Sequence, residues 1–102
     1  MRYGLTDIQF EQIIGIISKY PEIQQALIFG SRADGTNKES SDVDIAIKCP
    51  ASDTTTIGKL LVDFEESSLP FFFDVVDYNK TENEKLKSHI DMYGVVFFEQ
   101  ER

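Results

Sequence analysis

Two segments decide the fold of this chain, FGSRADG at residues 29–35 and SDVDIAI at residues 41–47. An apolar run at residues 26–29 leads into the first segment and predicts a short buried strand that ends at Gly30. Residues 31–35 predict a single helical turn, with Ser31 near its N-cap and Gly35 at its end. The second segment predicts a strand over residues 42–48, because apolar and other residues alternate along it.

The second strand carries two carboxylates in an otherwise apolar segment. Asp42 and Asp44 stand at positions i and i+2, although aspartate is depleted in strands. Alternation places both side chains on one face, with Cα atoms about 6.5 Å apart. Like charges at this distance repel unless a cation or a proton lies between them. Such a pair can converge on two divalent ions about 4 Å apart, as in-line phosphoryl transfer requires. The alternative is an acidic edge strand that resists aggregation.

A third acid occupies a similar position in the segment FFFDVVD at residues 71–77. This segment predicts a third strand, and Asp74 lies in the middle of its apolar run. Burying an unpaired aspartate costs several kcal/mol, so Asp74 needs a partner. A metal shared with Asp42 and Asp44 is the economical one, and a structural ion pair is the alternative. Asp77 lies on the opposite pleat and is expected to face solvent.

The step from Gly30 to Ser31 predicts a phosphate-binding turn. A strand that ends in glycine before a helix start leaves backbone N–H groups directed at one point, and the Ser31 hydroxyl adds a further donor. Arg32 fits a contact with the same phosphate or an exposed ion pair about equally well. Gly-Ser alone is usually a plain turn. Together with three acids, however, it suits a magnesium-bound nucleoside triphosphate.

The remaining pattern predicts three further helices and a last strand. A helix capped at Thr6 should end before Pro21, and a second should lie within residues 54–68. A third should run from about residue 82 to residue 89 or slightly beyond, and the strand should cover residues 95–98. This order predicts an α+β fold, with a small mixed sheet and helices packed mainly on one face. At 102 residues, the chain is expected to form a single domain over residues 1–102.

Composition excludes several classes of partner. Eighteen acidic residues outnumber ten basic ones, for a net charge of −8, which argues against an extended nucleic-acid footprint. Divalent cations would then have to supply positive charge to any bound phosphate. No apolar run reaches bilayer length and no export signal is evident, so no membrane association is expected. Cys49 is the only cysteine and is expected to be inert in a reducing cytoplasm.

With both motif parts and the later aspartate in place, the chain resembles the nucleotidyltransferases that share the fold of DNA polymerase β and kanamycin nucleotidyltransferase. Within this superfamily it is similar to the minimal MNT-type proteins encoded beside a HEPN-domain partner, over nearly the whole chain. The resemblance implies that Asp42 and Asp44 bind two Mg²⁺ ions, and that Asp74 holds one and helps to deprotonate the acceptor. It also implies that Gly30 and Ser31 bind the triphosphate of ATP.

The resemblance further implies a reaction and a biological role. An acceptor hydroxyl would attack the α-phosphorus and pyrophosphate would leave. In MNT-type antitoxins, AMP is placed on a tyrosine of the HEPN toxin. One departure concerns Asp34, which stands where the family often has a second arginine, and Lys38 could compensate. The alternatives are a non-catalytic module that neutralises its HEPN partner by contact, and transfer to a small molecule such as an aminoglycoside.

Two further features concern packing. His89 is expected at a surface or boundary position rather than as a general base. The phenylalanines at 71–73, 97 and 98 are expected to lie mostly in the core. Three consecutive residues in a strand cannot face the same way, however, so at least one of 71–73 must be covered by the other sheet face, a helix or a partner. This favours a homo- or hetero-oligomer.

Overall fold

The computed structural model describes residues 2–49 and 55–100. In chain order its elements are α1 (Asp7–Ile17), β1 (Gln25–Phe29), α2 (Ser31–Asp34), β2 (Val43–Lys48), α3 (Thr56–Glu66), β3 (Phe73–Asp77), α4 (Glu84–Tyr93) and β4 (Val95–Glu99). The predicted α+β order is confirmed. Boundaries differ at several ends: β3 starts at Phe73 and α4 continues to Tyr93. The predicted start of the third helix at residue 54 lies outside the described residues.

The first helix begins and ends for local reasons. The Thr6 hydroxyl accepts from the Gln9 backbone N–H, and the Gln9 side chain accepts from the Thr6 N–H, which forms a capping box. Phe10, Ile13 and Ile17 are buried on one face of α1. The helix ends at Ile17, well before Pro21.

The four strands form one mixed sheet in the order β3-β2-β1-β4. β1 pairs antiparallel with both β2 and β4, whereas β2 and β3 run parallel. In this register Asp44 is paired with Phe29 on one side and with Asp74 on the other. The pairing therefore brings the end of β1 and the beginnings of β2 and β3 to the same edge of the molecule.

The two faces of the sheet are covered unequally. On one face, β1 and β2 contribute buried residues to a large core that also includes residues of α1 and α3. On the other face, Leu27, Phe29, Ala46 and Ile90 form a small cluster with α4. The prediction of helices mainly on one face is thus confirmed, and the thinly covered face is the one that carries Asp44. Within the described residues, no helix is long and apolar enough to cross a bilayer.

The phenylalanine run divides between the faces. Phe73 stacks on Phe64 with ring centroids 4.1 Å apart, and Phe71 packs edge-on against Phe73. Phe72 is 84% exposed, so it is the member of the run that does not face the core. Phe97 and Phe98 are partly buried against the large core, as predicted.

Asp77 does not simply face solvent. It is half-buried at the end of β3, where Oδ1 accepts from the N–H groups of Asn79 and Lys80. These bonds order the turn between β3 and α4, because they satisfy backbone donors that have left the sheet.

Candidate active site

Three carboxylates share the thinly covered face. Asp42 immediately precedes β2, Asp44 lies within it, and Asp74 is the cross-strand partner of Asp44 in the parallel β2–β3 pair. Paired residues of neighbouring strands share a face, as do residues i and i+2 of one strand. Asp44 is half-buried, whereas Asp42 and Asp74 are exposed. Asp44, which is partly shielded from solvent, is therefore adjacent to two exposed acids, Asp42 along the chain and Asp74 on the neighbouring strand.

The electrostatics of this cluster are unfavourable without a cation. Burial raises the pKa of Asp44 above its ordinary range, and the nearby charges of Asp74 and then Asp42 raise it further. Attraction to Arg32 opposes these effects. A divalent cation would favour the ionised form of all three acids, because it replaces repulsion by attraction.

The donor set fits magnesium when phosphate completes it. All three groups offer hard carboxylate oxygens, which Mg²⁺ prefers. Across residues 2–49 and 55–100, however, no three acidic, histidine or cysteine side chains are already gathered as a metal-ligand group. Magnesium commonly uses only one or two carboxylates together with substrate phosphates and water. The carboxylates of this site therefore fit a metal that arrives with a nucleotide better than a permanently bound ion.

Gly30 lies directly against the carboxylate of Asp44. Its φ of 74° and ψ of −154° belong to a region that residues with a side chain rarely adopt. A Cβ added at this position would overlap Oδ2 of Asp44. Both conditions require glycine here. The glycine turn and the acidic cluster are therefore parts of one site.

The turn after Gly30 is short and closed. The N–H groups of Ala33 and Asp34 both donate to the Gly30 carbonyl, and α2 ends at Gly35 in the left-handed conformation. The Ser31 hydroxyl makes no hydrogen bond to another described residue. This leaves the hydroxyl available to a ligand at the start of the turn.

Arg32 has a different place from either one predicted. It is 1% exposed, so the exposed ion pair is wrong. Nε and Nη2 donate to the carbonyl of Ser41, Nη1 donates to that of Tyr3, and Nη2 also reaches the carbonyl of Glu39. With its donors engaged by backbone, the guanidinium is not directed at a phosphate. Its bonds to Ser41 instead hold the residue that precedes Asp42.

The role of Arg32 was not apparent from the sequence, because its acceptors are backbone carbonyls from two separate loops. The guanidinium also lies 4.7 Å from the centre of the Phe71 ring. A buried arginine with carbonyl acceptors and an aromatic neighbour stabilises the loop fold around it. These contacts identify Arg32 as a residue that positions the loop before Asp42.

Residues around the turn complete the site. Asp34 is exposed, and its Oδ1 accepts from the N–H and the hydroxyl of Thr36, which lower its pKa. Lys38 is exposed in the following loop. The ring of His89, on α4, meets that of Phe29 edge-on with centroids 6.3 Å apart, and its proximity further lowers the pKa of Asp34. His89 is thus an exposed residue at the boundary of the site, and only the fold reveals its proximity to the turn.

A mixed sheet with a glycine turn at the end of one strand and acids on the two strands beside it defines the nucleotidyltransferase class. The family model described as polymerase beta, nucleotidyltransferase matches residues 11–102, and this chain belongs to that family. The membership predicted from the two motifs is therefore confirmed. A search of curated proteins finds no match.

Solved structures with the same fold include toxin–antitoxin assemblies. A crystal structure of a toxin-antitoxin with AMP-PNP is 26% identical, with a TM-score of 0.74 over 89% of this chain and 73% of that chain. A mutant of the toxin-antitoxin MntA-HpeT is 21% identical, with a TM-score of 0.70 over the same shares. A putative nucleotidyltransferase from Sulfolobus solfataricus is 23% identical, with a TM-score of 0.54 over 89% and 77%. The last two likenesses concern the fold alone.

Proposed function

We propose that this protein is a magnesium-dependent nucleotidyltransferase that moves AMP from ATP to a hydroxyl group of a partner protein. The partner we infer is a HEPN-domain toxin, the acceptor one of its tyrosines, and the role that of an antitoxin in the cytoplasm. The observation that carries the proposal is the placement of Gly30 against Asp44, itself paired with Asp74. The likeness to a toxin-antitoxin with AMP-PNP supports the partner and the nucleotide.

Each residue of the site has a task in this reaction. Asp42 and Asp44 hold the magnesium ions, with Asp74 as a further ligand to one of them. When bound, these ions neutralise charge on the phosphates. The backbone around Gly30 and the free hydroxyl of Ser31 hold the triphosphate. Asp74 also accepts the proton of the acceptor hydroxyl, because it lies at the outer side of the cluster and is exposed.

The bond changes follow from this arrangement. The acceptor oxygen forms a bond to the α-phosphorus while the bond from that phosphorus to the bridging oxygen of the β-phosphate breaks. Pyrophosphate leaves with the bonding electrons, and the acceptor's proton passes to Asp74 and then to solvent. The chain contributes positioning and charge complementarity, which supply most of the catalysis in phosphoryl transfer.

The proposal is tested by labelling. The protein is incubated with the product of the adjacent reading frame, if this is a helical HEPN protein, together with Mg²⁺ and ATP labelled at the α-phosphate. We expect label on a partner tyrosine, lost in Asp44→Asn and retained in the control Asp7→Asn, which removes an exposed acid in the first turn of α1. An unlabelled partner with wild-type protein would contradict transfer.

A second candidate is neutralisation of the partner by contact alone. It is favoured by Asp34, whose negative charge lies in the turn where the family often has an arginine. The double variant Asp42→Asn/Asp44→Asn separates the two functions. If it protects cells from the toxin as well as the wild type does, transfer is dispensable; if protection is lost while the partner still binds, contact alone is excluded.

A further inference from the structure

Phe72 is the most exposed large apolar side chain among the described residues, at 84%. Its neighbours Phe71 and Phe73 both pack against the large core on the helix-covered face. Alternation along the chain therefore directs Phe72 to the opposite face, which carries Asp74 two residues later. Single exposed apolar residues are ordinary. Here the position, rather than the exposure alone, is informative.

The pairing of β2 with β3 fixes where Phe72 lies. The Val43 N–H donates to the Phe72 carbonyl at 2.9 Å, so the ladder continues just ahead of β3. Since Val43 is paired with Phe73, Phe72 lies beside Asp42. Register and alternation thus place Phe72 on the same face as the three carboxylates, beside Asp42 on the neighbouring strand and two residues before Asp74.

The geometry of the proposed reaction indicates from which side the acceptor approaches the site. Gly30 lies at the end of β1, Asp74 belongs to β3, and β2 with Asp42 and Asp44 runs between them. In-line displacement puts the attacking oxygen opposite the leaving pyrophosphate. If the phosphates occupy the glycine turn, the acceptor must approach across β3. That is the side on which Phe72 is exposed.

The surface on this side is open and continues beyond one ring. β3 is the last strand of the sheet on this edge. At this edge, the start of β3 also borders a cleft of about 450 Å³ on the α3 side, whose lining includes Leu61, Leu69, Phe71 and Phe72. The apolar edge formed by Phe72 and this cleft suits a protein that presents a hydroxyl beside apolar side chains. A small polar acceptor such as an aminoglycoside would leave it uncovered.

We propose that Phe72 docks the acceptor: it contacts an apolar or aromatic side chain of the partner protein next to the hydroxyl that receives AMP. This inference rests on the proposed function and deepens it, since it names a residue that selects a protein acceptor. Phe72 holds neither metal nor phosphate. Its replacement should therefore weaken acceptor binding and leave nucleotide binding intact.

The test compares Phe72→Ala with Met92→Ala. Met92 is 71% exposed at the end of α4, just before β4 at the other edge of the sheet, which makes it a matched control. We expect the KM for the partner protein to rise about tenfold or more in Phe72→Ala, because alanine buries much less apolar surface against the partner. The KM for ATP should stay within about twofold, Phe72→Leu should be intermediate, and Met92→Ala should resemble the wild type.

Calorimetry of partner binding with the same variants keeps this inference separate from the proposed function. Phe72→Ala should bind the partner about tenfold more weakly whether or not transfer occurs. Label absent with wild-type protein would contradict the function alone, and an unchanged affinity of Phe72→Ala would overturn the docking role alone. A rise in the KM for ATP would instead place the ring against the adenine base and also overturn it.

Discussion

The two faces of strand β2 differ in what their residues contribute. Val43, Ile45 and Ile47 are fully buried on one face, whereas Asp44 occupies the other with unfavourable electrostatics. Residues one position apart thus serve opposite purposes, because strand geometry alternates side chains between faces. The buried face stabilises the fold. The other face carries Asp44, which destabilises the fold but can bind a charged ligand. Variants on either face should separate these two properties.

The largest effect is expected on the stabilising face. Ile45→Ala removes a side chain with no exposed surface from the large core and should lower the free energy of unfolding by about 2–5 kcal/mol. Urea denaturation measures this change. Ile8→Ala is the control, because Ile8 is 72% exposed on α1 and should change stability by about 0.5 kcal/mol or less. Equal midpoints for the two variants would contradict the assignment of the core face.

The next effect is expected at Asp44. Asp44→Asn should reduce AMP transfer at least about a hundredfold, because a metal ligand is removed, and should raise the melting temperature of the metal-free protein. The pKa of Asp44 is higher in the folded protein than in the unfolded chain. The folded state therefore loses stability as the pH rises from the unfolded-state pKa to the folded-state pKa. At neutral pH Asp44 is ionised and destabilises the folded state by the full amount. Asparagine carries no charge, so the variant lacks this destabilisation.

Calorimetric melting in EDTA from pH 4 to pH 8 measures the second part of this prediction. The difference between Asp44→Asn and the wild type should grow with pH and become smallest once Asp44 is protonated in both states. Asp7→Asn serves again as the control for removal of an exposed acid. If Asp44→Asn melts below the wild type at neutral pH, repulsion does not dominate at this position.

The comparison also explains which features were predictable from sequence. Alternation along residues 42–48 is a local signal, and it placed Asp42 and Asp44 opposite the buried isoleucines correctly. The pairing of Asp44 with Asp74 depends on a parallel register between strands separated by a helix, which no local pattern encodes. The burial of Arg32 depends on carbonyls of Tyr3, Glu39 and Ser41, and backbone acceptors have no sequence signature. Alternation predicted that at least one of residues 71–73 would face away from the core, but apolar composition could not identify Phe72 as that residue.

Arg32 contributes both to stability and to the position of Asp42. Its replacement should therefore have a smaller effect on each of these two properties. Arg32→Lys keeps the charge but cannot supply the planar group of donors that reaches three carbonyls. We expect a decrease of about 1–3 kcal/mol in unfolding free energy and a lower kcat with little change in the KM for ATP, because Asp42 is displaced. Arg2→Lys, at an exposed position, is the control. An increase in the KM for ATP that exceeds the fall in kcat would indicate a direct phosphate contact instead.

The smallest effect concerns Asp34, whose charge lies at the glycine turn. Asp34→Arg should lower the KM for ATP about two- to fivefold, because it replaces repulsion of the triphosphate by attraction across solvent. Asp34→Asn is the matched variant, since its side-chain oxygen can still accept from Thr36 and only the charge is removed. It should account for part of the gain, and the gain should shrink as salt is raised. If neither variant changes the KM, the triphosphate does not pass near this residue, and Asp34 then gives no support to neutralisation by contact.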